Sequence, residues 1–176
     1  IMNLKDFIRS IPYYPKKGIL FRDITTLIKN EKAFTETIDQ IVEKSKKFNF
    51  DAIAAIESRG FVFASAVSYL LKKPFIMLRK KNKLPAEVHS VDFELEYGSA
   101  TIEVHKDSIK KNDNILIIDD LIATGGTAEA AAKLIEISGG KVCSFIFVIN
   151  LFDLKGTENL INKGYKVENL LEFPGH

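Results

Sequence analysis

Along the chain, apolar residues recur at helical spacing in some stretches and in alternating or unbroken runs in others, and this switching predicts the elements. Over 31–47, Phe34, Ile38, Ile41 and Val42 fall on one face with Lys and Glu between them, which predicts an amphipathic helix. The short apolar run 51–56 predicts a buried strand, 61–71 a helix carrying Phe61, Phe63, Ala64, Val67, Leu70 and Leu71, and 74–78 a second strand. Between 91 and 104, Phe93, Leu95 and Tyr97 alternate with Asp92, Glu94 and Glu96, as in a pair of strands turned at 97–99. Residues 115–118 form a continuous apolar strand, 127–137 an Ala-rich helix ended by Gly139-Gly140, and 141–150 another buried strand. A helix over 153–163 and a strand over 165–172 close the chain.

Strands that are apolar throughout and alternate with helices imply an α/β fold: a mostly parallel central sheet flanked by helices. Ligands of such sheets bind beyond the carboxyl ends of the strands, so the residues just after each strand are the ones to search. No repeat, low-complexity stretch or Pro/Gly/Ser linker divides the chain, and 1–176 reads as a single domain.

Composition narrows the class of function. The formal charge of +2 gives no bulk attraction to nucleic acid or to an anionic membrane. The lone Cys143, set in the apolar run 142–147, excludes a disulfide framework and reads as a buried thiol in a reducing, cytoplasmic setting. No run approaches a membrane span, and Lys5, Asp6 and Arg9 interrupt any signal-peptide core near the start. Against 21 Lys there are four Arg: Arg9, Arg22, Arg59 and Arg79.

The most informative segment follows the strand at 115–118. There Asp119 and Asp120 precede Leu121-Ile122, then Ala123, Thr124, Gly125, Gly126 and Thr127 open a helix. Glycines let the backbone approach an anion, and the two hydroxyls add donors beside the free N–H groups of a helix start, which makes a cradle for a phosphate. The acids suit vicinal hydroxyls, as carboxylates accept from ribose. A sugar phosphate is the expected ligand. Neither a P-loop nor a G-x-G-x-x-G fingerprint occurs.

This segment resembles the phosphoribosyl-pyrophosphate motif of the type I phosphoribosyltransferases, and the other loops are most similar to the adenine-specific branch of that family, from Ile11-Pro12 to Leu154-Lys155-Gly156. The resemblance implies the fold of that family, with a small N-terminal hood over about 1–30 and a mobile lid over about 82–97. It implies a reaction in which adenine and 5-phosphoribosyl-1-pyrophosphate give AMP and pyrophosphate, with Mg2+ held through pyrophosphate, ribose hydroxyls and water, in a cytoplasmic homodimer.

Residue by residue, the resemblance assigns Asp119, Asp120 and the cradle from Ala123 to Thr127 to phosphoribosyl pyrophosphate and AMP. Ser58 and Arg59, in a loop that by itself offers N–H groups, a hydroxyl and a guanidinium, match the pyrophosphate loop. Arg79 and Lys83 also reach pyrophosphate, with the Arg often working across a dimer; Lys80 and Lys81 stay open between that role and a solvated charge run. Glu96 and Tyr97 match the catalytic pair at the lid's end, although an acid on an alternating strand, taken alone, reads as solvent-facing. Leu20 and Arg22 would read the adenine edge through their backbone, with Phe21 and Leu151 covering its faces; by themselves the latter two read equally as core. The chain departs from the family pattern at Ala86-Glu87, at Phe93, and at Asn150, where many relatives carry an acid.

Two other readings compete. An oxopurine transferase tends to carry a Lys near the purine 6-position, where this chain has Leu20-Phe21-Arg22. A non-catalytic sensor of phosphoribosyl pyrophosphate adds a DNA-binding domain and loses the lid, and this chain has no room for the one and keeps Glu96-Tyr97.

Overall fold

Burial on both sides of a strand forces helices onto both faces of a sheet, and the core of this protein is arranged accordingly. The computed structural model describes residues 2–95 and 98–176. In chain order the strands are β1 (Arg9–Pro12), β2 (Leu20–Asp23), β3 (Ala52–Ile56), β4 (Phe75–Lys80), β5 (Val88–Glu94), β6 (Ser99–His105), β7 (Asn114–Ile122), β8 (Lys141–Leu151) and β9 (Val167–Phe173). The helices are α1 (Thr25–Lys29), α2 (Glu31–Ser45), α3 (Arg59–Leu71), α4 (Gly126–Ile137) and α5 (Gly156–Asn162).

Seven strands form one sheet in the order β5-β6-β4-β3-β7-β8-β9. β4, β3, β7, β8 and β9 run parallel, and the β5–β6 hairpin adds two antiparallel strands at the β4 edge. β3 reads Ala-Ile-Ala-Ala-Ile and is buried at every position, since it lies at the centre with α4 on one face and α2 and α3 on the other. Along β3 the side chains alternate between the layers: Ala52, Ala54 and Ile56 join the α4 side, Ile53 and Ala55 the α2–α3 side. Phe63 of α3 and Phe145 and Phe147 of β8 are the largest fully buried rings, the two from β8 on the α4 side and Phe63 on the α2–α3 side.

The expected α/β class and mostly parallel sheet are present, and three boundaries and the burial of one residue differ in informative ways. β7 does not end at Ile118 but runs on through Asp119 and Asp120 to Ile122, because β8 continues beside it and pairs Asp119 with Phe147 and Ile122 with Asn150. The expected helix over 153–163 divides into a 3-10 turn at Phe152–Leu154 and α5, separated by Lys155 at φ +63°. In the polar span read as a lid, Val88–Glu94 is strand, paired along its length to β6. Cys143 is half-buried rather than buried, its Sγ donating to the Asn49 carbonyl at 3.4 Å.

Within the first thirty residues, Leu4, Ile8, Ile24 and Leu27 pack into the α2–α3 side of the core. β1 and β2 make a two-stranded antiparallel hairpin outside the main sheet. Asp23, 5% exposed, ties it together by accepting from Arg9 and from the Thr25 N–H and hydroxyl. Those bonds, against the cost of burial, hold the Asp23 carboxyl below its ordinary range.

α3 matters to the site because Arg59 opens it, and Phe63 anchors it to the sheet. Phe63→Ala is expected to destabilise the fold by about 3–5 kcal/mol, as large-to-small changes at sealed aromatic positions do, read as a lower urea midpoint at unchanged m-value.

Candidate active site

The carboxyl ends of β3 and β7 and the start of α4 converge on a cleft of about 410 Å³. Its lining includes Glu57, Ser58 and Arg59 after β3, Lys80 at the end of β4, Glu94 and Leu95 from β5, and residues 119–128. The sheet topology explains the gathering: β3 and β7 are parallel neighbours, so the segments that leave them emerge side by side.

Two adjacent carboxylates form the floor. Asp120 is 6% exposed and accepts from Arg59 Nε at 2.7 Å. The attraction of Asp120 raises the already high pKa of the Arg59 guanidinium, against some burial and with help from Asp119 and Asp23. Asp119 has no such ion pair among the described residues. Its carboxyl is pushed well above the ordinary aspartate range by burial and by the charge of Asp120 beside it, although its Oδ1 accepts the Asp120 N–H at 2.8 Å. Gly60 makes room for it: a Cβ there would stand 2.8 Å from Asp119 Oδ1.

The wall is the loop 123–126. Gly125 adopts φ +94°, a region open to glycine, and turns the chain into α4. The first helical bond that returns to this loop runs from the Glu129 N–H to the Gly125 carbonyl at 2.9 Å, so the N–H groups of Gly126, Thr127 and Ala128 have no intrahelical acceptor. They line the cleft, at the positive end of the α4 dipole. On the far side of the loop the Gly156 N–H donates to the Ala123 carbonyl at 3.1 Å, and a Cβ on Gly125 would stand 3.2 Å from the Gly156 backbone.

A second pair of groups forms the rim. Glu57 Oε1 accepts from Arg79 Nε at 3.1 Å and from the Lys80 N–H at 2.7 Å. Burial pushes the Glu57 carboxyl up, but those two bonds and the charges of Arg79 and Lys80 outweigh it and hold it below its usual value. Ser58 is exposed, and its hydroxyl makes no capping bond to α3.

The residues expected from the sequence are distributed unevenly about this cleft. Ser58, Arg59, Asp119, Asp120, Ala123, Thr124, Gly125, Gly126 and Thr127 all line it. Arg79 stands behind the rim on Glu57, and Lys83 is exposed on the β4–β5 connection. Phe21 faces the Arg59 guanidinium, 5.8 Å from its ring centroid. Leu20 is half-buried on β2, while Leu151 packs in the core on the α2–α3 side. The Arg22 side chain turns away toward Ser10, the Pro174 carbonyl at 3.1 Å and the Phe173 ring. Glu96 and Tyr97 lie outside the described residues. Lys80, left open by the sequence, lines the cleft, as do Glu57 and Glu94, which sequence reasoning did not single out. Position directly before Ser58-Arg59 was the one signal that pointed to Glu57; Gly156 carried none.

Comparison with known proteins agrees with this geometry. The phosphoribosyl transferase domain family matches residues 23–173. The chain is 78% identical over 175 residues to an adenine phosphoribosyltransferase of Pelagibacter ubique (strain HTCC1062), covering 99% of this chain and 100% of the relative. Among solved structures, it is similar to the adenine phosphoribosyltransferase of Thermoanaerobacter pseudethanolicus, with TM-score 0.93, 45% identity, and 97% and 98% of the two chains covered. It is likewise similar to that of Saccharomyces cerevisiae, complexed with an imino-altritol bisphosphate and adenine, with TM-score 0.88, 36% identity and 96% of each chain covered.

The raised Asp119 carboxyl has a consequence for stability. A free aspartate titrates near 3.9, and in the folded chain Asp119 holds its proton to higher pH, so the folded state is favoured by protonation. The penalty of ionising it is absent below about pH 4, grows as pH passes the ordinary aspartate value, and is complete above the raised one. Asp119→Asn is therefore expected to raise Tm at pH 7, with the gain shrinking toward pH 4, as read by calorimetry across that range.

Proposed function

The chain belongs to the phosphoribosyltransferase family, and we propose that it is the enzyme that transfers the phosphoribosyl group of 5-phosphoribosyl-1-pyrophosphate to adenine. The products are AMP and pyrophosphate, which makes it a purine-salvage transferase. The observation that carries this reading is one cleft that joins a helix-start anion cradle to a pair of acids one turn of chain upstream. High identity to adenine phosphoribosyltransferases supports the choice of base.

In this reading the N–H groups of Gly126, Thr127 and Ala128, with the hydroxyls of Thr124 and Thr127, hold the 5′-phosphate. That binding, remote from the reacting bond, orients the anomeric carbon. Asp119 and Asp120 accept from the ribose hydroxyls. As pyrophosphate leaves, positive charge develops on the ribosyl ring, and the Asp119 carboxylate gains a partner for the charge that its surroundings penalise. Arg59 and Ser58 receive the leaving pyrophosphate, with Lys80 on the facing wall and Arg79 and Lys83 reached from the rim. Arg59 is prepared for this: Asp120 holds it through Nε alone, which leaves its other N–H donors for oxygens in the cleft.

The base would lie under the hood, with Phe21 on one face and Leu151 on the other and the backbone of Leu20 and Arg22 at its edge. Glu96 and Tyr97 are assigned to proton handling at the purine. The segment 82–97 acts as the lid that keeps water from the ribosyl cation.

The charge of the cleft bears on the metal. Among the described lining residues, the carboxylates Glu57, Glu94, Asp119 and Asp120 outnumber the cations Arg59 and Lys80, an unusual setting for a polyanion unless a divalent ion travels with it. No group of three or more potential protein ligands is gathered among the described residues. That donor set fits Mg2+ held mainly by substrate oxygens and water, with Asp119 or Asp120 alongside. When bound, the ion neutralises the departing pyrophosphate.

The reading extends to a cytoplasmic homodimer. Among the described residues no helix is long and apolar enough to cross a membrane. Exposed apolar side chains on α3 and β4, Tyr69, Leu70 and Met77, are available to a second copy.

With phosphoribosyl pyrophosphate and Mg2+, a spectrophotometric assay is expected to give AMP from adenine and no comparable turnover of hypoxanthine; the reverse order overturns the choice of base. Asp119→Asn combined with Asp120→Asn is expected to abolish turnover while the circular dichroism spectrum stays that of the parent. Glu96→Gln should lower kcat about 10²–10⁴-fold with little change in KM, the range for loss of one proton-transfer group; an unchanged kcat removes Glu96 from the chemistry.

A further inference from the structure

The phosphate cradle is supported from behind by the first turn of α5, and a chain of polar side chains outside the cleft fixes that turn. Gly156 is in backbone contact with the cradle: its N–H reaches the Ala123 carbonyl at 3.1 Å, and a Cβ added to it would run into that carbonyl and come within 2.9 Å of the Gly125 nitrogen. One residue on, Thr157 Oγ1 donates to Asn150 Oδ1 at 3.1 Å and accepts from Asn169 Nδ2 at 3.2 Å. Asn150, 6% exposed, donates from Nδ2 to Glu172 Oε2 at 2.7 Å, across the β8–β9 register pair that the two residues form. None of Asn150, Thr157, Asn169 and Glu172 lines the cleft.

The chemistry of this chain gives it a direction. An amide whose oxygen and nitrogen are both engaged has one orientation, so Glu172 sets Asn150, Asn150 sets the Thr157 hydroxyl, and that hydroxyl sets the turn carrying Gly156. Ala123 also packs against the core, and a further contact from α5 among the described residues is Asn159 Nδ2 to the Thr124 carbonyl at 3.5 Å. Resting on the reading of 123–127 as the 5′-phosphate site, we propose that Asn150 and Thr157 are positioning residues for phosphate binding. They hold Gly156 at the height that keeps the N–H groups of the cradle converged on one anion. Asn150 accordingly works on the phosphate end of the substrate and not on the base.

The test compares steady-state kinetics and calorimetric binding of ribose 5-phosphate for the parent, Thr157→Val and Thr157→Ser. Thr157→Val is expected to raise KM for phosphoribosyl pyrophosphate and Kd for ribose 5-phosphate about tenfold, the scale of one lost hydrogen bond, and to leave KM for adenine unchanged. Thr157→Ser, which keeps the hydroxyl, should stay near the parent. Should Thr157→Val not fold, a second pair of variants decides. Asn150→Asp sets two carboxylates against each other and should weaken ribose 5-phosphate binding at pH 8, and adding Glu172→Gln, which supplies the missing donor, should restore it. Equal ribose 5-phosphate affinity in parent and Thr157→Val, a parallel rise in KM for adenine, or no rescue by Glu172→Gln overturns the proposal. A parent that binds neither ribose 5-phosphate nor AMP overturns the reading of the cleft itself.

Discussion

Two carboxylates in consecutive positions of a sheet strand repel each other, and the site is organised around tolerating that repulsion. Asp120 is neutralised by Arg59, which can reach it because α3 begins directly after β3 and β3 neighbours β7. Asp119, under Gly60 and facing the cleft, has no ion pair among the described residues. A protein selected only for stability would not retain such a group. Its cost is reasonable where a ligand supplies the compensation, first hydroxyl donors and then positive charge, at the moment of reaction.

The same economy governs the cradle. A phosphate held by backbone N–H groups needs no cation of its own, which in the proposed reading leaves Arg59 and Arg79 for the pyrophosphate side. It also makes binding depend on backbone placement to a fraction of an ångström, and glycine cannot supply that rigidity. The support comes from a different part of the chain, through Gly156 and the residues that hold it. The site is thus composed of one local motif and one remote buttress.

This division explains what could be read in the sequence. The local motif at 119–127 was legible because chain order and spatial order coincide there, and the parallel sheet was legible because continuous apolar runs have few other uses. The extent of β7 was not: two acids look like a strand's end, and only the pairing of β7 with the longer β8 carries the ladder past them. The split of the last helix turns on Lys155 adopting a left-handed conformation, which Lys rarely signals. Arg79 was assigned to pyrophosphate by the resemblance, and its ion pair with Glu57, 22 residues earlier, was not part of that reading. The roles of Glu57 and Gly156 depend on contacts between segments far apart in sequence, which no periodicity or local spacing encodes.

The balance of charge among the described lining residues bears on how substrate arrives. A nearly neutral chain exerts little pull on a polyanion beyond a Debye length of about 8 Å at physiological salt, so attraction is confined to the rim itself, where Arg79 and Lys80 stand. Steering over longer distances is then weak, and discrimination begins close to contact. Other phosphorylated metabolites meet the same rim, and selection falls to a ligand that can satisfy cradle, acids and rim together.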